Sequence, residues 1–334
     1  MNSYHTPHEC FELALTGTLA VLQSAAMAQA RRLAGALPAP VAKLLSKVRH
    51  ALPDAWFCRV NYLLRTRRIL HLNNPRAYSE KIQWLKLHGH LEQYSLYVDK
   101  YDVRKYVEDT IGPEYLVPLI GVWREFDDIP FDEMPEQFVL KATHGQGYNF
   151  VCRDKSSLDL TSLRETVTGW VSQNFYRAER EPQYRHLRPR LIAEMYLEDE
   201  SGWLRDFKFP CFDGVPYMVQ VIGDRRAGMT ENLYDCAWNL LPILEKGYPN
   251  ARHAIAKPAL LDEMLNIAAK LSADFPFVRV DLYCTGENIY FGELTFTPAS
   301  GIIVYEPSTF DLELGRMLDL SKFSVTAASQ SRGG

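Results

Sequence analysis

Residues 277–298 alternate so strictly that they leave the chain little choice there. Val280, Leu282, Leu294 and Phe296 fall on one side, and Arg279, Asp281, Glu293 and Thr295 on the other. Period-two alternation about the turn Thr285-Gly286-Glu287-Asn288 reads as a β-hairpin with one face in a core. With the turn centred near Gly286 and Glu287, the ladder sets Asp281 opposite Glu293 and Arg279 opposite Thr295. Two carboxylates facing each other repel unless a proton or a cation lies between them. A hard divalent ion with oxygen ligands is the natural occupant, and neutralisation by Arg279 and Lys208 is the alternative.

A second hairpin spans residues 136–153, with Lys141 closing the first strand and Gly145 and Gly147 in the turn. Glycines that take φ > 0 and admit close approach would let the loop N–H groups cradle phosphate oxygens, with Lys141 facing the same phosphates. The spacing is neither that of a Walker loop nor of a Rossmann fingerprint, because another strand follows instead of a helix. An ordinary hairpin with a surface lysine is the competing reading. Further on, Leu191–Leu197 reads as an apolar strand carrying Glu194, a carboxylate that needs a partner or a cleft. Residues 203–221 read as a hairpin turning at Asp213-Gly214, with Asp206 and Lys208 on one face. Helices are expected from Tyr78, from Val98, over 159–180 and over 259–274.

Composition narrows the partners. The 334 residues carry a formal net charge of −4 and no basic run interleaved with aromatics, which argues against nucleic acid. Six cysteines without a C-x-x-C pair indicate neither a zinc site nor a disulfide framework and point to a reducing cytoplasm. Residues 1–50 form an Ala/Leu-rich leader in which Leu13 to Ala30 is uncharged, with Arg31 and Arg32 after it. That order is wrong for a signal peptide, and the stretch is too polar to span a membrane. Residues 11–35 therefore read as a helix that packs on the body or lies peripherally on the inner membrane face.

Taken in order, the chain resembles the TupA-like branch of the ATP-grasp superfamily, named for teichuronopeptide biosynthesis. The resemblance is carried by Asn74-Pro75 with Glu80-Lys81-Ile82-Gln83-Trp84-Leu85, Asp99-Lys100-Tyr101 with Arg104, Leu140-Lys141-Ala-Thr-His144-Gly145-Gln146-Gly147-Tyr-Asn149, Asp206-Phe-Lys208-Phe, and the closing hairpin to Pro298. It implies an α+β fold of two lobes gripping ATP. The helical front region would occupy 51–135, the small lobe with its glycine lid 136–198, the large lobe with its Mg²⁺ site 199–322 and a tail 323–334. Lys141, His144, Gly145, Gln146, Gly147 and Lys208 would hold ATP phosphates, and Glu194, Tyr196 and Leu197 would meet the adenine. Asp281 and Glu293 would bind Mg²⁺, with Thr295 where the family commonly has a third, asparagine ligand. Arg279 and Lys208 would stabilise an acyl phosphate, and Arg225 would receive the acceptor carboxylate. The activity so implied is ATP-dependent ligation of a carboxylate to an amine, one partner being an acidic unit of a surface polysaccharide. A kinase acting on a sugar hydroxyl, with His144 or Asp224 as base, and a glycosyltransferase are the alternatives. Oligomeric state is left open.

Overall fold

The computed structural model describes residues 51–199, 204–223 and 228–323. The leader with the helix expected over 11–35, Asp224, Arg225 and the tail beyond Phe323 lie outside the described residues. The chain divides near Leu52, and the unit from Pro53 onward contains every element below.

Its front is helical. Helix α1 (Asp54–Thr66) ends at Arg67, which turns left-handed at φ 62°. Helix α2 (Tyr78–His88) is capped by Glu80, whose carboxylate accepts the N–H groups of Arg76 and Ala77 at 2.9 and 3.1 Å. The helix expected from Val98 is two pieces, α3 (Ser95–Val98) and α4 (Val103–Ile111). Asp99 separates them because its side chain accepts the N–H groups of Tyr101 and Asp102, at 2.9 and 3.0 Å, and so competes with the helix ladder.

The first sheet is antiparallel. It is built from β1 (Leu119–Trp123), β2 (Phe138–Ala142), β3 (Asn149–Cys152) and β4 (Leu191–Met195) in the order β1-β4-β2-β3. Its edge strand β1 thus comes from before residue 136. Between β3 and β4 the chain makes α5 (Leu160–Val171), capped by Asp159, and α6 (Phe175–Glu179), so the single crossing helix expected over 159–180 is interrupted at 172–174. Phe138, Leu140 and Ala142 of β2 pack with Leu163 and Val167 of α5 in a core of their own, which sends Val139 and Lys141 to the opposite face.

The second sheet contains β5 (Asp206–Phe212), β6 (Val215–Pro216), β7 (Val219–Gly223) and β8 (Thr230–Tyr234). The short β9 (Leu244–Glu245) and helix α7 (Leu261–Ser272) follow, then β10 (Phe277–Cys284) and β11 (Ile289–Thr295). The order is β11-β10-β5-β7-β8, with β6 paired to β5. Asp213 and Gly214 take φ 51° and 76°, the left-handed pair that a tight hairpin turn needs. Strand β12 (Tyr305–Glu306) pairs with β9, and α8 (Thr309–Met317) packs against α2. The large core lies on one side of this sheet, where Val280, Leu282, Leu294 and Phe296 meet Leu261, Met264 and Leu271. Each such side chain contributes ~1.5–3 kcal/mol on burial. The arrangement is the α+β fold of two lobes that the sequence leads one to expect.

The closing hairpin holds one irregularity. From Cys284–Ile289 to Leu282–Phe291 the strands pair in one register, and from Asp281–Glu293 to Arg279–Thr295 in a register shifted by one. Gly292 is the extra residue. A side chain there would meet the Asp281 carbonyl at 3.0 Å and the Tyr283 ring at 3.3 Å. Plain pairing from a turn centred on Gly286 and Glu287 would set Asp281 against Gly292, so the facing carboxylates expected from the sequence arise only through this bulge.

Candidate active site

Between the two sheets lies a cavity of about 240 Å³ whose walls include Val139, Lys141, Glu194, Tyr196, Leu197 and Tyr283. Period two along β2 turns Lys141 to this face, and the register sets Glu194 opposite Val139. Lys141 Nζ donates to Glu194 Oε2 at 2.5 Å, while Arg104 donates to Glu194 Oε1 at 3.1 Å and to the Val117 carbonyl at 3.0 Å. A buried glutamate whose two oxygens each face a cation has both members of the array fixed. Arg153 lies over the Tyr196 ring, 5.1 Å from its centroid. The cavity therefore joins apolar walls to a cationic rim, a combination suited to a flat heterocycle bearing phosphates.

The glycine loop closes one side. Only Gly147 takes a positive φ, 75°, whereas Gly145 serves packing: a Cβ there would lie 2.6 Å from Tyr148 and 2.9 Å from Phe175. His144 is 2% exposed, and its Nε2 donates to the carbonyls of Trp170 and Gln173, each at 3.2 Å. Burial lowers its pKa, which keeps the ring neutral. The ring thus ties the loop to α5 and is not turned to the cavity. Gln146 reaches Tyr184 at 3.5 Å. Lys100, which sequence reasoning did not assign a role, donates through its backbone to Thr143 O at 3.2 Å and through Nζ to Gly145 O. It has no carboxylate within ion-pair distance among the described residues. Burial lowers its pKa, and the fields of Glu293, Lys141 and Glu194 all reach it. Its place depends on where α4 packs, so no local sequence signal singled it out.

Across the cavity is the carboxylate ladder. Arg279 donates to Asp281 at 2.6 and 2.7 Å, to Glu293 at 3.2 Å and to Thr295 Oγ1 at 3.1 Å. Lys208 bridges Asp206, at 2.8 Å, and Asp281. Burial penalises the charge on Lys208, but Asp206 and Asp281 outweigh it and its pKa is raised. Burial likewise pushes Glu293 up, yet Lys208, Arg279 and Lys100 pull it below the usual range. So without an added ion the pair is neutralised as the sequence alternative has it. Thr295 Oγ1 donates to Glu293 Oε1 at 3.0 Å, which makes it an orienting group for that carboxylate. Glu293 Oε2 has no partner among the described residues, and its side chain is 35% exposed. Two hard carboxylates, one with an open oxygen, are the donor type that a divalent ion such as Mg²⁺ would take. Among the described residues no cluster of three or more His, Cys, Asp or Glu forms a protein-only cage.

The sequence itself can now be placed among known proteins. A family model described as TupA-like ATPgrasp matches residues 80–319, well over half of the chain. The chain belongs to the TupA-like ATP-grasp family. No curated protein matches it by sequence. Among solved structures, the D-alanine–D-alanine ligase from Bacillus anthracis is 17% identical with a TM-score of 0.42, over 69% of this TupA-like chain and 66% of the ligase. The D-alanine–D-alanine ligase from Helicobacter pylori is 13% identical with a TM-score of 0.37, over 72% and 69%. An N5-carboxyaminoimidazole synthase from Aspergillus clavatus is 12% identical with a TM-score of 0.35, over 60% and 44%. The TupA-like chain thus spans somewhat under two thirds of the first ligase's length. Among its described residues no helix is long and apolar enough to cross a membrane.

Proposed function

We propose that the protein is an ATP-dependent ligase that joins a carboxylate to an amine through an acyl phosphate. The observation that carries this reading is the juxtaposition of the cavity lined by Lys141, Glu194, Tyr196 and Leu197 with the Asp281–Glu293 ladder. Family membership supports the ATP half. Adenine would lie against Val139, Tyr196, Leu197 and Tyr283, and Lys141, Lys100 and the loop N–H groups would bind phosphate oxygens. Asp281 and Glu293 would hold Mg²⁺, which supplies a Lewis acid that neutralises phosphate charge. Engaging Asp281 requires that Arg279 and Lys208, which between them occupy both of its oxygens, yield one of them.

Attack of a carboxylate on a phosphoryl group brings anions together, so the residues present must lower that repulsion. Arg279 and Lys208 stand beside the ladder with delocalised and point charge, respectively, for the developing acyl phosphate. The glycine loop, pinned by His144 and Lys100, covers the phosphates and keeps water from an intermediate that would hydrolyse. One partner is proposed to be a uronic acid or other acidic unit of a surface polysaccharide. The kinase alternative needs a base near the acceptor; the His144 ring is committed to two carbonyls, and Asp224 lies outside the described residues.

The test is a product-resolved assay with Mg²⁺, ATP, a panel of uronates and amino acids, and hydroxylamine as a surrogate amine, read by phosphorus NMR and mass spectrometry. ADP, phosphate and a hydroxamate or amide are expected. A stable phosphoester would mean a kinase, and AMP with pyrophosphate would overturn the acyl-phosphate chemistry.

A further inference from the structure

The sheet face that carries Lys208 and Arg279 continues across β7 and β8, where the register aligns Lys208 with Gln220 and Ile222 with Glu231. It opens there on a second cavity of about 170 Å³, lined by Lys208, Arg279, Gln220, Glu231 and Glu245 among apolar side chains such as Phe212 and Met218. Glu231 is 4% exposed and accepts from Gln220 Nε2 at 2.8 Å. Neither it nor Glu245 has an ion-pair partner among the described residues. Glu231 and Glu245 line the same cavity, and two carboxylates brought together there repel unless a proton or a cation compensates them. Burial, with Glu231 beside it, pushes Glu245 up to about 8. Lys208 and Arg279, by contrast, are already matched by Asp206, Asp281 and Glu293.

The cavity wall is also held in a costly shape. Ala299 lines it, and Ala299 and Ser300 take φ 45° and 55°, left-handed values that non-glycine residues seldom adopt. Gln83 and Lys86 of α2 secure that turn by donating to Ser300 O at 2.6 and 3.3 Å.

We infer that this cavity receives the amine partner of the ligation, with its ammonium between Glu231 and Glu245 and a body the size of a small amino acid against the apolar walls. The inference rests on the ligase reading above. At about 30 Å³ per water-sized group, the space admits roughly five or six such groups. A carboxylate would meet like charge there, and a neutral hydroxyl would leave the pair dependent on the proton that burial favours on Glu245. An ammonium resolves the repulsion and stands beside the two cations proposed to face the acyl phosphate.

The experiment titrates ethylammonium chloride into the full-length chain, with and without Mg²⁺ and a non-hydrolysable ATP analogue, and reads binding by saturation-transfer NMR. Binding to the wild type is expected, about tenfold weaker or worse in Glu231→Gln and Glu245→Gln. Met229→Trp, a change at a half-exposed position on the cavity wall, keeps the test decisive if a glutamate variant does not fold, and is expected to abolish binding. No binding to the wild type, equal binding to all variants, or equal binding of 1-propanol would overturn the assignment. ATP affinity, measured on the same wild-type sample, tests the parent reading separately. If ATP did not bind, the ligase would fall, and with it the amine's role in ligation, even where ethylammonium still bound through the glutamates.

Discussion

Lys100 is in a different position from Lys141 and Lys208, each of which has a carboxylate at its Nζ. Among the described residues its Nζ donates only to the Gly145 carbonyl, so an arriving anion gains a charge-assisted contact without displacing an ion pair. Lys100→Ala is expected to weaken ATP binding by about tenfold or more, in titration calorimetry, and by at least as much as Lys141→Ala. Glu293→Gln keeps the size and the hydrogen-bonding capacity toward Thr295 and Arg279 but loses a charge. It should leave the circular dichroism spectrum and unfolding midpoint close to wild type and abolish Mg²⁺-dependent ADP release; substantial residual turnover would remove Glu293 from the metal site. Lys141, Glu194, Asp281 and Glu293 were legible in the sequence because strand alternation fixes which side chains share a face. Lys100 and Arg104 were not assigned roles, since their place in the site depends on where α4 packs, which no local period encodes.

At the scale of the element, the bulge in the closing hairpin decides whether the two carboxylates face each other. The alternation of β10 and β11 predicts the face of each residue correctly, but facing carboxylates also require a one-residue shift, and Gly292 supplies it. Gly292→Ala must push back the Asp281 carbonyl or the Tyr283 ring. It is expected to cost about 1–3 kcal/mol in denaturant unfolding and to reduce turnover more than ATP affinity. Wild-type turnover in this variant would show that the register is not what aligns the ladder. Two helices were read as longer than they are, for one reason: Asp99 and the Ser172–Asn174 segment interrupt apolar patterns that continue in period beyond the break. The role of Gly145 was also misjudged, since glycine there makes room for two rings and does not turn the chain.

Across the whole molecule, one buried carboxyl couples the segment between α6 and β4 to pH. Glu181 is 1% exposed, one of its oxygens has no partner among the described residues, and burial pushes its pKa up to about 7. The folded state then holds a proton that the unfolded chain has released, so stability falls as pH rises from about 4.5 and the full cost is present above 7. A loss of ~3 kcal/mol is expected between pH 4.5 and 8 from this group. Glu181→Gln should flatten that part of the slope in urea unfolding, and an unchanged slope would refute it. The aromatic packing behind the glycine loop has a different use. Trp170 stacks on Tyr148, with ring centroids 6.2 Å apart, and Tyr148 meets Phe175 edge to face. Because Tyr148 ends the loop that would cover the phosphates, any displacement of that loop changes the surroundings of an indole. The protein carries its own optical reporter, and the part of a stopped-flow tryptophan trace that disappears in Trp170→Phe would give the rate at which the loop responds to nucleotide.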